Sequence, residues 1–222
     1  MGIISLETTN RLYWLGRYSE RVYTTILLFS RGYDTMIDGP QSDYATFCKK
    51  LDIPDIYTCC DDFSTDYCFN KDNPDSIYAN LVRAYDNAIL LRQDIGSDTL
   101  SYIQLAIYEM NKAKSSDAPL IELQKVLDNI MAFWGMAEDN IGNEQIRNIL
   151  KIGKRIERID LFSRFKRPEA DISREVNRLT ARLVRTSIPY RKENIDHLND
   201  LINHFPINYA KIIEEVDTVL EE

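Results

Sequence analysis

Apolar side chains recur every three or four residues along most of the chain. In "NRLYWLGRYSERVYTTILLFSRGYD" the series Leu12, Leu15, Tyr18, Val22, Ile26 and Phe29 marks one face of a helix over residues 5–32, with Gly32 and Asp34 offering a stop. At ~1.5 Å per residue it spans roughly 40 Å. A turn at Gly39-Pro40 follows, then "SDYATFCKKL" and "DIYTCCDDFSTDYCF" read as two short helices closed by the turn "NKDNPDS". The pattern that starts at Pro74-Asp75 is long and breaks or bends near Gly96, where Ser97 is placed to cap the continuation. Pro119 opens the next helix, Pro168 ends the one after it, Asp171 is an N-cap for "DISREVNRLTARLVRTS", and one or two helices close the chain. No segment alternates as a strand does, so the expectation is an all-α fold: a single-domain helical bundle of about seven to nine helices over residues 1–222.

Composition agrees with that picture. Eight Gly and seven Pro in 222 residues disfavour a loop-rich β architecture, and 44% hydrophobic with 28% charged residues is ordinary for a soluble globular chain. The start "MGIISLETTN" is not a signal peptide, Leu6 stands where a myristoylation signal wants Ser or Thr, and no apolar run reaches the length of a membrane span. The expected location is the cytoplasm, with no membrane contact. Cys48, Cys59, Cys60 and Cys68 form no CxxC, and both histidines, His197 and His204, lie far away in sequence. Buried thiols are therefore expected rather than zinc, with no metal and no cofactor.

Charge is unevenly placed. Residues 34–75, an insertion-like acidic lobe, hold ten Asp, no Glu and three Lys, whereas residues 147–192 hold fourteen Lys or Arg against five Asp or Glu. Arg174, Arg178, Arg182 and Arg185 recur at helical spacing and form one basic face. That face suits an acidic protein partner or the Asp-rich lobe. Nucleic-acid binding is the weakest reading, because the chain is acidic overall and the stripe has no interleaved aromatics. Tyr13, Trp14 and Trp134 are assigned to the core.

GRYSER, residues 16–21, returns as GKRIER, residues 153–158. A shift of 137 places aligns Glu7 with Glu144, Gly16 with Gly153, Arg17 with Lys154, Glu20 with Glu157 and Arg21 with Arg158, and it superposes Leu12, Leu15 and Val22 on Ile149, Ile152 and Ile159. Matching charges and matching core positions describe two pseudo-symmetric motif helices. A mid-helix Gly costs about 1 kcal/mol relative to Ala, so its presence in both copies calls for the close approach of another backbone or of a ligand.

Two readings of the motif follow. In the first, Glu20 and Arg21 face Arg158 and Glu157 as reciprocal buried pairs that fix helix register. In the second, Arg17, Arg21, Arg83, Arg92, Lys154 and Arg158 line a cavity as anion contacts, Asn87 adds an amide, and Glu20 and Glu157 orient a ligand amine or act as acid and base. Glu20 and Glu157 are the candidates for catalysis in that second reading.

"NRLYWLGRYSER" together with "ILKIGKRIERIDLFSRF" resembles the alpha-E domain family, an all-helical bacterial family of unknown biochemical function named for its Glu-Arg motif. "RAYDNAILLRQDI", with Arg83, Asn87, Ala88 and Arg92, is similar to that family's central Arg-x-x-x-Asn-Ala-x-x-x-Arg pattern, and "FWGMAEDNIGNEQIRNIL" occupies the place of its Phe-x-Gly segment. Tyr85 departs from the pattern, standing where the family tends to have Arg. The resemblance implies a genetic setting beside an ATP-grasp-type ligase and a transglutaminase-like protein, hence an amide-bond-forming peptide synthesis or modification system. The expected function is accessory: binding a small anionic or peptide ligand, or the partner ligase. The alternative is an enzyme of that system acting on a peptide or amino acid through the paired Glu and Arg residues. No Gly-rich phosphate loop, GxSxG or metal-ligand cluster argues for catalysis.

Overall fold

A computed structural model describes residues 4–38 and 43–220, so the Gly39-Pro40 turn and the initial Met-Gly lie outside the described residues. The fold is all-α. Among the described residues there are eleven helices: α1 (Leu6–Asp38), α2 (Asp43–Leu51), α3 (Cys60–Phe69), α4 (Ile77–Leu90), α5 (Arg92–Ile95), α6 (Ser97–Lys114), α7 (Pro119–Asn140), α8 (Glu144–Arg164), α9 (Glu169–Leu183), α10 (Lys192–Asn203) and α11 (Tyr209–Asp217). None of them is long and apolar enough to cross a membrane. Helix α1 runs through Gly32 to Asp38 rather than stopping there, since one glycine weakens a helix by only about 1 kcal/mol.

The chain packs as two compact units, Met1–Glu20 with Asn143–Glu222, and Arg21–Gly142. In the first, α8 packs on α9 and on α11, and α10 closes on both of those helices. Its buried stripe reads Ile149, Ile152, Ile156 and Ile159 on α8, met by Ile172, Val176 and Leu179 of α9 and by Ile212 and Val216 of α11. Asn143 caps α8 by accepting from Gln145 N at 3.0 Å, and Asn208 caps α11 by accepting from Lys211 N at 3.1 Å. Asp171 is not the cap of α9. The helix already starts at Glu169 behind Pro168, and Asp171 sits in its first turn, where it accepts from Arg174 and Arg167.

In the second unit, Phe29 of α1, Phe47 of α2, Tyr57, and Phe63 and Tyr67 of α3 form an aromatic cluster, with Phe63 stacked on Tyr67 at 5.2 Å and edge-on to Tyr57 at 4.9 Å. Helices α6 and α7 pair closely, and α4 packs on α6. Ser76 caps α4 by accepting from Ala79 N at 2.9 Å. The expected break at Gly96 is present, with the glycine at a φ of 83° that suits a residue without Cβ. Ser97 does not cap α6, however; its Oγ instead accepts from Arg92 Nε. All four cysteines are free. Cys48 and Cys68 are buried as expected, but Cys59 is exposed and Cys60 partly so.

Candidate functional site

Within the first unit the opening turns of α1 cross α8 at the two motif glycines. A Cβ on Gly16 would collide with the carbonyl oxygen of Leu150, and one on Gly153 would collide with that of Tyr13. The next contacts are the backbone nitrogens of Lys154 and Arg17, each at 3.1 Å from such a Cβ. Each neighbour is thus the other's equivalent under the 137-residue shift. The repeat is a backbone-to-backbone crossing with local twofold character, which answers why a helix-weakening residue appears twice.

The same crossing buries two carboxylates. Glu20 is fully buried and Glu157 is 2% exposed. Arg158 Nε donates to Glu20 Oε1 at 2.5 Å, and Arg17 Nε donates to Glu157 Oε2 at 2.7 Å. The first pair is the one expected from the sequence. For Glu157 the described donor is Arg17, four residues before Arg21 in the helix. Burial works against the charge of Arg17, but Glu157 and Tyr13 beside it carry its pKa above the ordinary value. In the second copy Arg17 is replaced by Lys154, whose amine lies in the field of Glu20.

Trp14 is not a core residue. It is 42% exposed, stacks on Tyr18 at 5.3 Å, and offers its ring to the Arg17 guanidinium 5.4 Å away, holding that arginine from the solvent side. Tyr13 is partly buried and its hydroxyl accepts from Arg17 Nη1 at 3.2 Å, whereas Trp134 is buried. Further along α8, Asp160 is 2% exposed and accepts from Arg164 Nε at 2.7 and 2.9 Å. Burial, then the charge of Glu157, push its carboxyl up to about 6 against the pull of Arg164.

Helices α8 and α9 enclose a cleft of about 420 Å³ lined by Lys154, Arg155 and Arg158 from α8 and by Arg178, Arg182 and, just beyond its end, Arg185 from α9. Ala181 is the one uncharged lining residue, and it leaves room between the guanidinium groups. Glu175, 1% exposed, is the anchor of this surface: it accepts from Arg155 Nη1 at 2.5 Å and from Arg178 Nη1 at 2.8 Å, tying the two helices together. Arg182 Nη1 donates to Asn148 Oδ1 at 2.6 Å. Arg155 Nε and Asn148 Nδ2 are buried without an acceptor among the described residues. Burial first, and the surrounding cations as well, lower Lys154 to about 7 against the pull of Glu20; neighbouring Lys151 falls to about 8 through burial and the charges of Arg182 and Arg155.

Of the residues singled out in the sequence, Arg17, Glu20, Lys154, Glu157 and Arg158 come together in the first unit, and Lys154 and Arg158 also line the cleft. Arg21, Arg83, Asn87 and Arg92 belong to the second unit. There Arg21 lies in the neighbourhood of Tyr67, Arg83 donates to the Pro74 carbonyl at 2.8 Å, Asn87 donates to the Arg83 carbonyl at 3.0 Å, and Arg92 donates to Ser97 at 2.9 Å. Arg83 and Arg92 thus hold the segments that lead into α4 and α6, and Asn87 bonds within α4. The cleft draws instead on Arg155, Arg178, Arg182 and Arg185. The basic stripe was visible at helical spacing, but Arg155 read only as one more charge in "KRIER". No group of His, Cys, Asp and Glu able to hold a metal ion occurs among the described residues.

No curated protein and no solved structure matches the chain. Residues 7–201 match the family model described as a predicted alpha-helical domain with a conserved ER motif, and the Glu-Arg dipeptides 20–21 and 157–158 are such motifs. The chain, with its two Glu-Arg helices crossing at paired glycines, belongs to the Alpha-E family.

Proposed function

We propose that this Alpha-E protein is an accessory ligand-binding component of a cytoplasmic amide-bond-forming system, and that it holds an anionic ligand, a small molecule or a peptide end carrying carboxylate or phosphate, in the cleft between α8 and α9. The convergence of Lys154, Arg155, Arg158, Arg178, Arg182 and Arg185 on one cleft carries this reading. Guanidinium groups present flat pairs of donors that match carboxylate and phosphate oxygens, and several around one cavity concentrate anions there. Burial of Glu20 and Glu157, each already held by an arginine, supports a positioning role for the motif rather than acid-base chemistry. The link to an ATP-grasp-type ligase or a transglutaminase-like partner rests on the family resemblance.

Titration calorimetry at low ionic strength with inorganic phosphate, sulfate and acetate tests the cleft. Binding that weakens as salt rises, and that drops in Arg185→Gln, is the expected result, since the Arg185 side chain is exposed and makes no hydrogen bond or ion pair among the described residues. Absence of binding for all three anions at millimolar concentration would overturn the reading.

A further inference from the structure

We propose that the α8–α9 cleft is a proton-coupled site for a dianionic phosphoryl group on a small organic molecule, and that Lys154 Nζ is the group that takes up the proton as the ligand enters. The inference rests on the anion-binding reading above and deepens it.

The geometry behind it is the cluster of basic groups around one amine. Lys154 is faced on α8 by Lys151, Arg155 and Arg158 and from α1 by Glu20, and it lines the cleft with Arg178 and Arg182 of α9 and Arg185 beyond its end. Buried carboxylates hold part of this set. Glu20 accepts from Arg158, and Glu175 accepts from Arg155 and Arg178. Arg182 reaches a neutral amide oxygen of Asn148, and Arg185 faces solvent. Two buried N–H groups nearby, Arg155 Nε and Asn148 Nδ2, find no acceptor among the described residues.

Arginine cannot answer this crowding, because a guanidinium stays protonated under all ordinary conditions. The amine is the only lining group able to shed its charge, and burial among cations lowers it to about 7. An arriving dianion reverses the field. It then favours the ammonium form, so ligand and proton enter together.

A dianion fits better than a carboxylate for the same reason. One negative charge offsets a single guanidinium, whereas a phosphoryl group offers three oxygens that bridge α8 and α9 and compensate the restored Lys154 as well. The cleft, at about 420 Å³, exceeds what a bare phosphate fills, leaving space for an organic group. Ala181 supplies the small apolar wall against which that group rests.

The test is calorimetry on the full chain with sulfate, which stays dianionic throughout, at pH 6 and pH 8 in two buffers of different ionisation enthalpy. About one proton taken up per sulfate at pH 8, falling toward none at pH 6, is expected, with affinity falling about tenfold per pH unit above the Lys154 midpoint. Lys154→Arg, with its fold verified by circular dichroism, should bind sulfate without proton uptake. Acetate should bind at least about tenfold more weakly than sulfate, and phenyl phosphate more tightly than inorganic phosphate. Sulfate binding without proton uptake at pH 8 overturns the proposal, as does uptake that persists in Lys154→Arg or acetate binding as tight as sulfate. If phenyl phosphate binds no better than inorganic phosphate, the organic part of the assignment is wrong. If none of these anions binds at either pH, the anion-cleft reading itself fails.

Discussion

Gly16 lies so close to the carbonyl oxygen of Leu150 that a single added carbon would overlap it, and Gly153 stands in the same relation to Tyr13. The obstruction is backbone in both cases, so no side chain can turn aside to relieve it. Gly16→Ala and Gly153→Ala must push α1 and α8 apart and loosen the buried Arg-Glu pairs at the crossing. Each is expected to destabilise by about 3 kcal/mol or more in urea denaturation. Gly135 on α7 is the control, because nothing lies within 4 Å of an added Cβ there. Gly135→Ala should stabilise by about 0.5–1 kcal/mol through helix propensity alone. Equal effects at Gly16 and Gly135 would show that the crossing is looser than the geometry requires.

Arg158 donates to Glu20, a carboxylate with no solvent exposure. Replacing it by Met removes a charge-assisted hydrogen bond from a buried carboxylate, and a loss of about 3–5 kcal/mol is expected. Removing both charges, as Glu20→Met with Arg158→Met, should recover part of the loss, and a double-mutant cycle should return a coupling well above that of a surface pair. Burial also shields the pair, so raising the salt concentration should leave the coupling nearly unchanged. A cycle that closes at zero would remove the pair from the account of what holds α1 on α8.

Asp160 gives a pH signature opposite in sign to the usual paired carboxylate. Its folded-state carboxyl stands at about 6 against an ordinary 3.8, so between those values the folded protein holds a proton that the unfolded chain has lost. Its contribution is fully present below about 3.8 and is lost as pH rises through 6. The lost stability is about 3 kcal/mol at most for a shift of this size. In Asp160→Asn that loss disappears. The stability of the variant relative to the unmodified protein should therefore rise from pH 3.5 to pH 7, read by denaturant titration across the range. A constant difference would place Asp160 outside the titrating set.

Much of the crossing was legible in the chain because its geometry is written twice at one spacing. Two glycines in register with two glutamates, carried on matching apolar faces, require close backbones and buried charge. Arg17 as a donor to Glu157 was harder to read, since it lies one helical turn before Arg21 on the same face. Spacing and neighbours assign Trp14 to the core, yet it is 42% exposed. The exposure follows from its position: two residues from Leu12, at about 100° per residue, it projects away from the Leu12–Leu15 stripe. The basic cleft lay beyond periodicity. Spacing shows that Arg178, Arg182 and Arg185 share a face, but only the packing of α9 on α8 brings that face to Lys154 and Arg155.

Glu175 sets the charge of that cleft, so its removal separates stability from binding. Its carboxylate is 1% exposed and accepts from an arginine on each helix, and neutralising it strands part of both guanidinium charges. Glu175→Gln keeps the size and one acceptor oxygen, so the fold should survive with a loss of about 1–3 kcal/mol. Binding should move the other way. One negative charge fewer among six basic lining residues deepens the attraction for an anion, by about five- to tenfold at low ionic strength for a charge several ångströms from the ligand. Sulfate titration of Glu175→Gln beside Arg185→Gln, at 20 mM and 200 mM salt in order of magnitude, checks both directions at once. Tighter binding in the first and weaker binding in the second, with the gap narrowing as salt rises, is the outcome that follows from an electrostatic cleft. Weaker binding in both would mean that Glu175 shapes the cavity more than it charges it.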